Sequence, residues 1–221
     1  MKKLLSTIVA LAAFGGIHLG AQAQDIQASA QAGEKKAAMC IGCHGIPGYQ
    51  ASFPEVHKVP MISGQGAKYI ATALNAYKKG ERKHPTMRSI ATSLSDQDIA
   101  DLAAFYEEQG KNASAAETQT APAPSEQVAK LIEQSKCNTC HGDNFSKPID
   151  GSYPKLAGQH ADYLYVALKA YQTTNNPQVG RSNPIMMGMA GQLTHAQIKA
   201  IAQYLSSLPS ELHTVPQSRF R

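Results

Sequence analysis

The sequence predicts an all-α protein built from two similar halves, and three observations carry that expectation. Apolar residues recur at helical spacing along both halves, alternating strand patterns are scarce, and the same order of segments appears twice around a Pro- and Ala-rich stretch. In the closing segment of the first half Ile99, Leu102, Ala103 and Tyr106 fall at i, i+3, i+4 and i+7. Ile198, Ile201, Ala202 and Leu205 do the same in the second.

Taken in order, the chain opens with MKKLLSTIVALAAFGGIHLGAQAQ, two lysines before an apolar run and then Ala21-Gln22-Ala23. This is the grammar of a secretory signal over residues 1–23, cleaved after Ala23. A retained anchor needs about 20 uninterrupted apolar residues, and Gly15 and Gly16 break this run. No cysteine sits at the cleavage site to take a lipid, and no later run is long enough to span a membrane. The sequence therefore predicts a first domain over 24–112, a linker over 113–125, a second domain over 126–210 and a C-terminal tail over 211–221. The linker text is poor in large apolar residues and stiffened by Pro122 and Pro124.

Within each half the events match. A cysteine motif comes first, followed by Pro60-Met-Ile-Ser-Gly-Gln65 or Pro154-Lys-Leu-Ala-Gly-Gln159. Then come Tyr69 to Tyr77 and Tyr163 to Tyr171, each with a helical apolar stripe, and Gly80 stands where a C-terminal cap belongs. Ser95 with Asp98, and Thr194 with Gln197, are capping-box starts for the closing helices. About three helices per half are expected, joined by long irregular connections. The repeat is not strict, because the first half is shorter between the middle helix and its methionine, where the basic stretch Glu81-Arg82-Lys83-His84 lies.

The formal charge of +5 falls once Lys2 and Lys3 leave with the signal, and the remaining charges are spread over both halves. Nucleic-acid binding would want a basic stripe, and there is none. Each half is small, with few aromatics and no Trp, so something besides side chains must fill its core.

All four cysteines fall in one pattern used twice, MCIGCHG and KCNTCHG. On a helical turn Cys40, Cys43 and His44 share a face, as do Cys137, Cys140 and His141. Two thiols beside an imidazole suit a porphyrin whose vinyl groups take the sulfurs and whose iron takes the histidine nitrogen, the attachment pattern of haem c. Four cysteines in an exported protein could instead form two disulfides; a thioredoxin-like pair would want a βαβ setting that this text lacks, and a zinc site would need further ligands in each half.

A second axial ligand should recur in both halves. Aligning the closing helices on Leu94 and Leu193 pairs Met87 with Met186. Met187 and Met189 compete in the second half, but Met189 matches Ile90, an apolar core position. His84 is a rival to Met87, yet its counterpart is Asn183. His57, His160, His195 and His213 have no paired histidine and read as surface or structural. The Pro60 and Pro154 turns are candidates to supply a backbone carbonyl to the free ring N–H of each ligating histidine.

With the two CxxCH motifs, the paired Pro-x-[Ile/Leu]-x-Gly turns and the distal methionines in hand, the chain resembles class I cytochromes c in tandem, and most of all the dihaem cytochrome c4 family. The similarity covers nearly all of residues 25–209. It implies two covalently bound haem c groups in two small helical domains packed together. It also implies a periplasmic carrier taking electrons from a membrane quinol-oxidising complex and passing them to a terminal oxidase or reductase, peripheral to the membrane. The ligand sets carried over are Cys40, Cys43, His44 and Met87 for one haem and Cys137, Cys140, His141 and Met186 for the other.

Histidine and methionine fill both axial positions, leaving no open site for oxygen or peroxide, so outer-sphere electron transfer is expected rather than catalysis. The competing classes are a dihaem peroxidase and the cytochrome subunit of a sulfide- or thiosulfate-oxidising enzyme. The first needs a vacant ligand position, and the second depends on a partner chain.

Overall fold

The computed structural model describes residues 26–112 and 120–216. The expected signal segment, linker residues 113–119 and the tail beyond 216 lie outside them. The first half contains α1 (Ala30–Lys36), α2 (Ala38–His44), β1 (Gln50–Ala51), β2 (His57–Lys58), α3 (Ala67–Lys79), β3 (Arg82–Lys83), α4 (Pro85–Thr92) and α5 (Asp96–Glu108), with a 3₁₀ turn over Gln109–Asn112. The second contains α6 (Glu126–Gln134), α7 (Asn138–His141), α8 (Ala161–Gln172), β4 (Gly180–Arg181), α9 (Pro184–Gly191) and α10 (His195–Ser206).

Each half thus has five helices among the described residues, against the three expected. The additional ones are α1 or α6 and the short helix that carries the methionine. At seven to nine residues these run for too few turns to show a period. The expected caps are present. Both capping boxes form at the starts of α5 and α10, and Gly80 ends α3 in the left-handed conformation at φ +77°.

In the first half α1 crosses α5, and Ala37, Ile41, Ile70, Ile99 and Leu102 close the core between them and α3. The crossing is made at Gly33, where an added Cβ would lie 2.1 Å from the Asp101 carbonyl oxygen and 2.8 Å from the Phe105 Cβ. Beside it the Asp101 carboxylate, 2% exposed, accepts from Ser29 N–H at 2.8 Å and from Lys36 Nζ at 2.6 Å. The second half packs α6 and α8 on α10 around Leu131, Phe145, Leu164, Ile201 and Leu205.

The two halves meet through paired contacts. β3 and β4 form an antiparallel ladder that pairs Arg82 with Arg181, one strand from each half. The basic stretch read as a loop is therefore partly a strand, and the extra residues of the second half are taken up in the turn after α8, where Asn176 accepts from Lys83 Nζ at 2.8 Å. Further out, Lys169 binds Glu55 at 2.7 Å and Lys68 binds Asp150 at 2.9 Å. The start of the tail returns to the first half, where His213 pairs with Ser63 and donates its N–H to Ser63 O at 3.2 Å. No helix of the described residues is long and apolar enough to cross a membrane.

Candidate functional site

Two short helices carry the cysteine motifs. In the first half α2 follows α1 after the single residue Ala37, and Gly45 ends it with its N–H on Ile41 O at 3.0 Å. In the second, Cys137 caps α7, and Gly142 turns the chain at φ +77°, where a Cβ would strike the Lys147 carbonyl at 2.1 Å. One helical turn therefore gathers Cys40, Cys43 and His44 in one half and Cys137, Cys140 and His141 in the other. All four thiols are free. Burial pushes the Cys40 and Cys137 thiols above their ordinary values.

Each histidine is oriented as the turns suggested. His44 Nδ1 lies 2.8 Å from Pro60 O, and His141 Nδ1 lies 3.0 Å from Pro154 O. A carbonyl only accepts, so Nδ1 carries the proton in both rings and Nε2 keeps its lone pair. Burial lowers the pKa of both imidazoles against the opposing effect of the carbonyl, which favours the neutral ring that a metal requires.

The proline turns are held by a glycine. Gly64 and Gly158, at φ +87° and +69°, each donate a 2.8 Å hydrogen bond to the closing helix of their half, at Tyr106 O and Leu205 O. An added Cβ would meet Glu211 O at 2.4 Å or Ser210 Cβ at 2.3 Å. Only a residue without a side chain fits there.

Met87 and Met186 occupy equivalent places, the third residue of α4 and of α9, each two after a proline at the first helical position. The N-cap side chain accepts from the methionine N–H in both, His84 Nδ1 at 3.4 Å and Asn183 Oδ1 at 3.0 Å. His84 therefore serves as a helix cap, a task asparagine performs in the other half. Met187 and Met189 lie further along α9, in register with Arg88 and Ile90.

Sequence reasoning missed a second constellation at the junction of the halves. Arg82 donates to Tyr69 Oη at 2.9 Å and lies over the Tyr77 ring. Arg181 donates to Tyr163 Oη at 3.1 Å and lies over the Tyr171 ring. Burial alone would raise the Tyr163 phenol, but the Arg181 and Arg82 charges outweigh it and lower its pKa. Among the described residues neither arginine makes an ion pair with a carboxylate. The signal was in the text: tyrosines at both ends of a repeated helix, and an arginine three residues before each methionine helix's proline. Also unread were Gln65 and Gln159, 4% exposed, which close the two proline turns and reach into opposite halves.

These features fit a porphyrin bearing two carboxylates in each half. Paired free thiols and a neutral imidazole with Nε2 available meet its vinyl groups and iron. Two half-buried guanidinium groups lacking an acidic partner among the described residues suit its propionates, since a cation partly withdrawn from water without a counter-charge is costly.

Comparison with known proteins agrees. The family model for cytochrome c matches twice, over residues 30–108 and 125–209. The chain is 32% identical to cytochrome c4 of Azotobacter vinelandii over 81% of its own length and 89% of that protein's. It is 30% identical to the thiosulfate dehydrogenase electron acceptor of Thiomonas intermedia, covering 86% of this chain and 88% of that one. The solved structure of Acidithiobacillus ferrooxidans cytochrome c4 superimposes with a TM-score of 0.60 at 29% identity, over 78% of this chain and 99% of the other. The fold is two tandem cytochrome c domains.

Proposed function

We propose, from the premise that this chain belongs to the cytochrome c4 family and is a dihaem electron carrier rather than an enzyme, a specific assignment of its residues and partners. Cys40 and Cys43 hold one haem c and Cys137 and Cys140 the other. His44 with Met87, and His141 with Met186, would hold the two irons. The domains run over 24–112 and 126–210, joined by the linker. When bound, each haem supplies a one-electron ferrous/ferric couple.

The chain's own part is to fix that couple. The Pro60 and Pro154 carbonyls hold each imidazole in one tautomer and one ring orientation, so little has to move when charge changes. The methionines sit on capped helices rather than in loops, and a thioether ligand raises the potential. Arg82 and Arg181 balance propionate charge at the junction of the domains. Because a histidine and a methionine would be committed to each iron, an oxidant such as peroxide would find no place to bind.

The observation that carries this assignment is the matched pair of histidines, each following a CxxC and each bonded through Nδ1 to a proline carbonyl. Haem quantitation on denatured protein should give two haems per chain. The ferric protein should have the weak red charge-transfer band of thioether ligation, and Met87→Ala should remove it for one haem only. A high-spin spectrum in the unaltered protein would overturn the assignment.

For partners, the reading is a periplasmic carrier, exported by the N-terminal segment, that takes electrons from a membrane quinol-oxidising complex and delivers them to a terminal oxidase or reductase. One relative's name favours a second donor, since it is an electron acceptor for thiosulfate dehydrogenase. Rates of reduction by a quinol-oxidising complex and by a thiosulfate dehydrogenase, measured side by side, separate the two.

A further inference from the structure

We propose that Gln159 and Gln65 are positioning residues acting across the domain boundary, each tuning the haem of the opposite half through the peptide that orients its histidine. The inference rests on the assignment of His44 and His141 as iron ligands.

The Pro60 carbonyl and the Met61 N–H are the two ends of one peptide group. His44 Nδ1 donates to the carbonyl at 2.8 Å, and Gln159 Oε1, from the other half, accepts from the N–H at 3.0 Å. The second half mirrors this. His141 Nδ1 donates to Pro154 O at 3.0 Å, and Gln65 Oε1 accepts from Lys155 N–H at 2.9 Å. Each amide is oriented by its other bonds. Gln159 Nε2 donates to Met61 O at 2.8 Å, and Gln65 Nε2 donates to Lys155 O at 3.0 Å. The oxygens also accept from the following residue, His160 N–H at 3.0 Å and Gly66 N–H at 3.1 Å, so an exchanged amide would lose all three bonds. Both glutamines are buried, and little water competes with the pairing.

A peptide that donates at its nitrogen becomes a better acceptor at its oxygen, strengthening a chained hydrogen bond by about 10–30%. A stronger hold on the Nδ1 proton makes the imidazole a more basic ligand. That favours ferric iron and lowers the potential. Each glutamine therefore holds down the potential of the haem in the half to which it does not belong. Because the same bonds join the halves, domain packing and haem tuning are one set of contacts.

The test uses the full-length loaded protein. In Gln159→Leu the potential of the haem bound by His44 should rise, with a two- to fivefold change in its reduced-to-oxidised ratio. At 59 mV per tenfold for one electron this is about 20–40 mV. The haem bound by His141 should move less. Gln65→Leu should reverse the pattern. The two haems are followed separately by their methyl resonances during a redox titration, with Met87→Ala assigning them. In the diamagnetic ferrous protein the Nδ1–H resonance of the affected histidine should move in step. Gln159→Glu keeps an acceptor oxygen, so its His44 haem should not rise in potential, and this variant decides the matter if the leucine variant does not fold.

Equal shifts in both haems, a larger shift in the glutamine's own half, or a rise in the glutamate variant would overturn the proposal. The ligand assignment fails separately: His44→Gly would then leave the spectrum of its haem unchanged, with no response to added imidazole.

Discussion

Gly33→Ala adds a single methyl group where α1 lies against α5, and the structure fixes its effect. The new Cβ would stand 2.1 Å from the Asp101 carbonyl oxygen, 2.6 Å from its carbon and 2.8 Å from Phe105 Cβ, where ordinary contacts begin at 3.4 Å. Two of these atoms are backbone, so no side chain can swing away. The helices must separate by about an ångström, enough to forfeit a quarter to a half of the dispersion energy at the contact layer. Overpacking of this kind costs about 1–3 kcal/mol, and opening the layer of Ala37, Ile99 and Leu102 adds to it. Alanine's better helix propensity returns at most about 1 kcal/mol. The net loss is about 2 kcal/mol, or a fall of about 10 °C in the melting temperature of a domain this size.

Since α1 leads through one residue into the helix bearing Cys40 and His44, the first haem site should loosen before the second. The assay is thermal unfolding of the ferric protein in Met186→Ala and Met87→Ala backgrounds, where the remaining red charge-transfer band reports on Met87 alone or on Met186 alone. Unchanged or increased stability, or equal effects on the two sites, would refute the close-packing argument.

Other outcomes follow from the same contacts. The Lys36 ammonium holds the carboxyls of Asp98 and Asp101 below their ordinary value of 3.8, so their stabilisation is complete above that value and is lost as pH falls below it. Acid unfolding followed by circular dichroism should therefore begin at higher pH in Lys36→Met than in the parent. Arg181→Gln removes a half-buried cation that would disfavour ferric iron, and a redox titration should find a haem potential lowered by roughly 60 mV, a tenfold change in ratio. Tyr106→Phe deletes a buried hydroxyl that has only the weakly bonding Cys40 sulfur beside it, and denaturant unfolding should find the variant within about 1 kcal/mol of the parent.

What could be read from the text was whatever short-range chemistry dictates. The CxxCH motifs, the capping boxes at Ser95 and Thr194, the left-handed Gly80 and the paired proline turns each depend on residues within a few positions of one another. The alignment of Met87 with Met186 was legible for the same reason, because the duplication supplied an internal register. Contacts between distant segments were not. Nothing near Gln65 in sequence announces that its amide meets Lys155, and Arg82 looked like part of a basic irregular connection although it lies between two tyrosines at the domain junction. The helices α1, α4, α6 and α9 escaped because seven to nine residues do not establish a period.

The exchange of glutamines and the ladder of Arg82 against Arg181 give the joint between the halves near two-fold symmetry: what each side offers, it also receives. Such a surface is isologous, the kind by which identical molecules dimerise. A single domain with this face could pair with another copy of itself, and linking two copies makes that concentration-dependent encounter intramolecular. The sequences on either side can then differ, so that two matched centres can settle at different potentials.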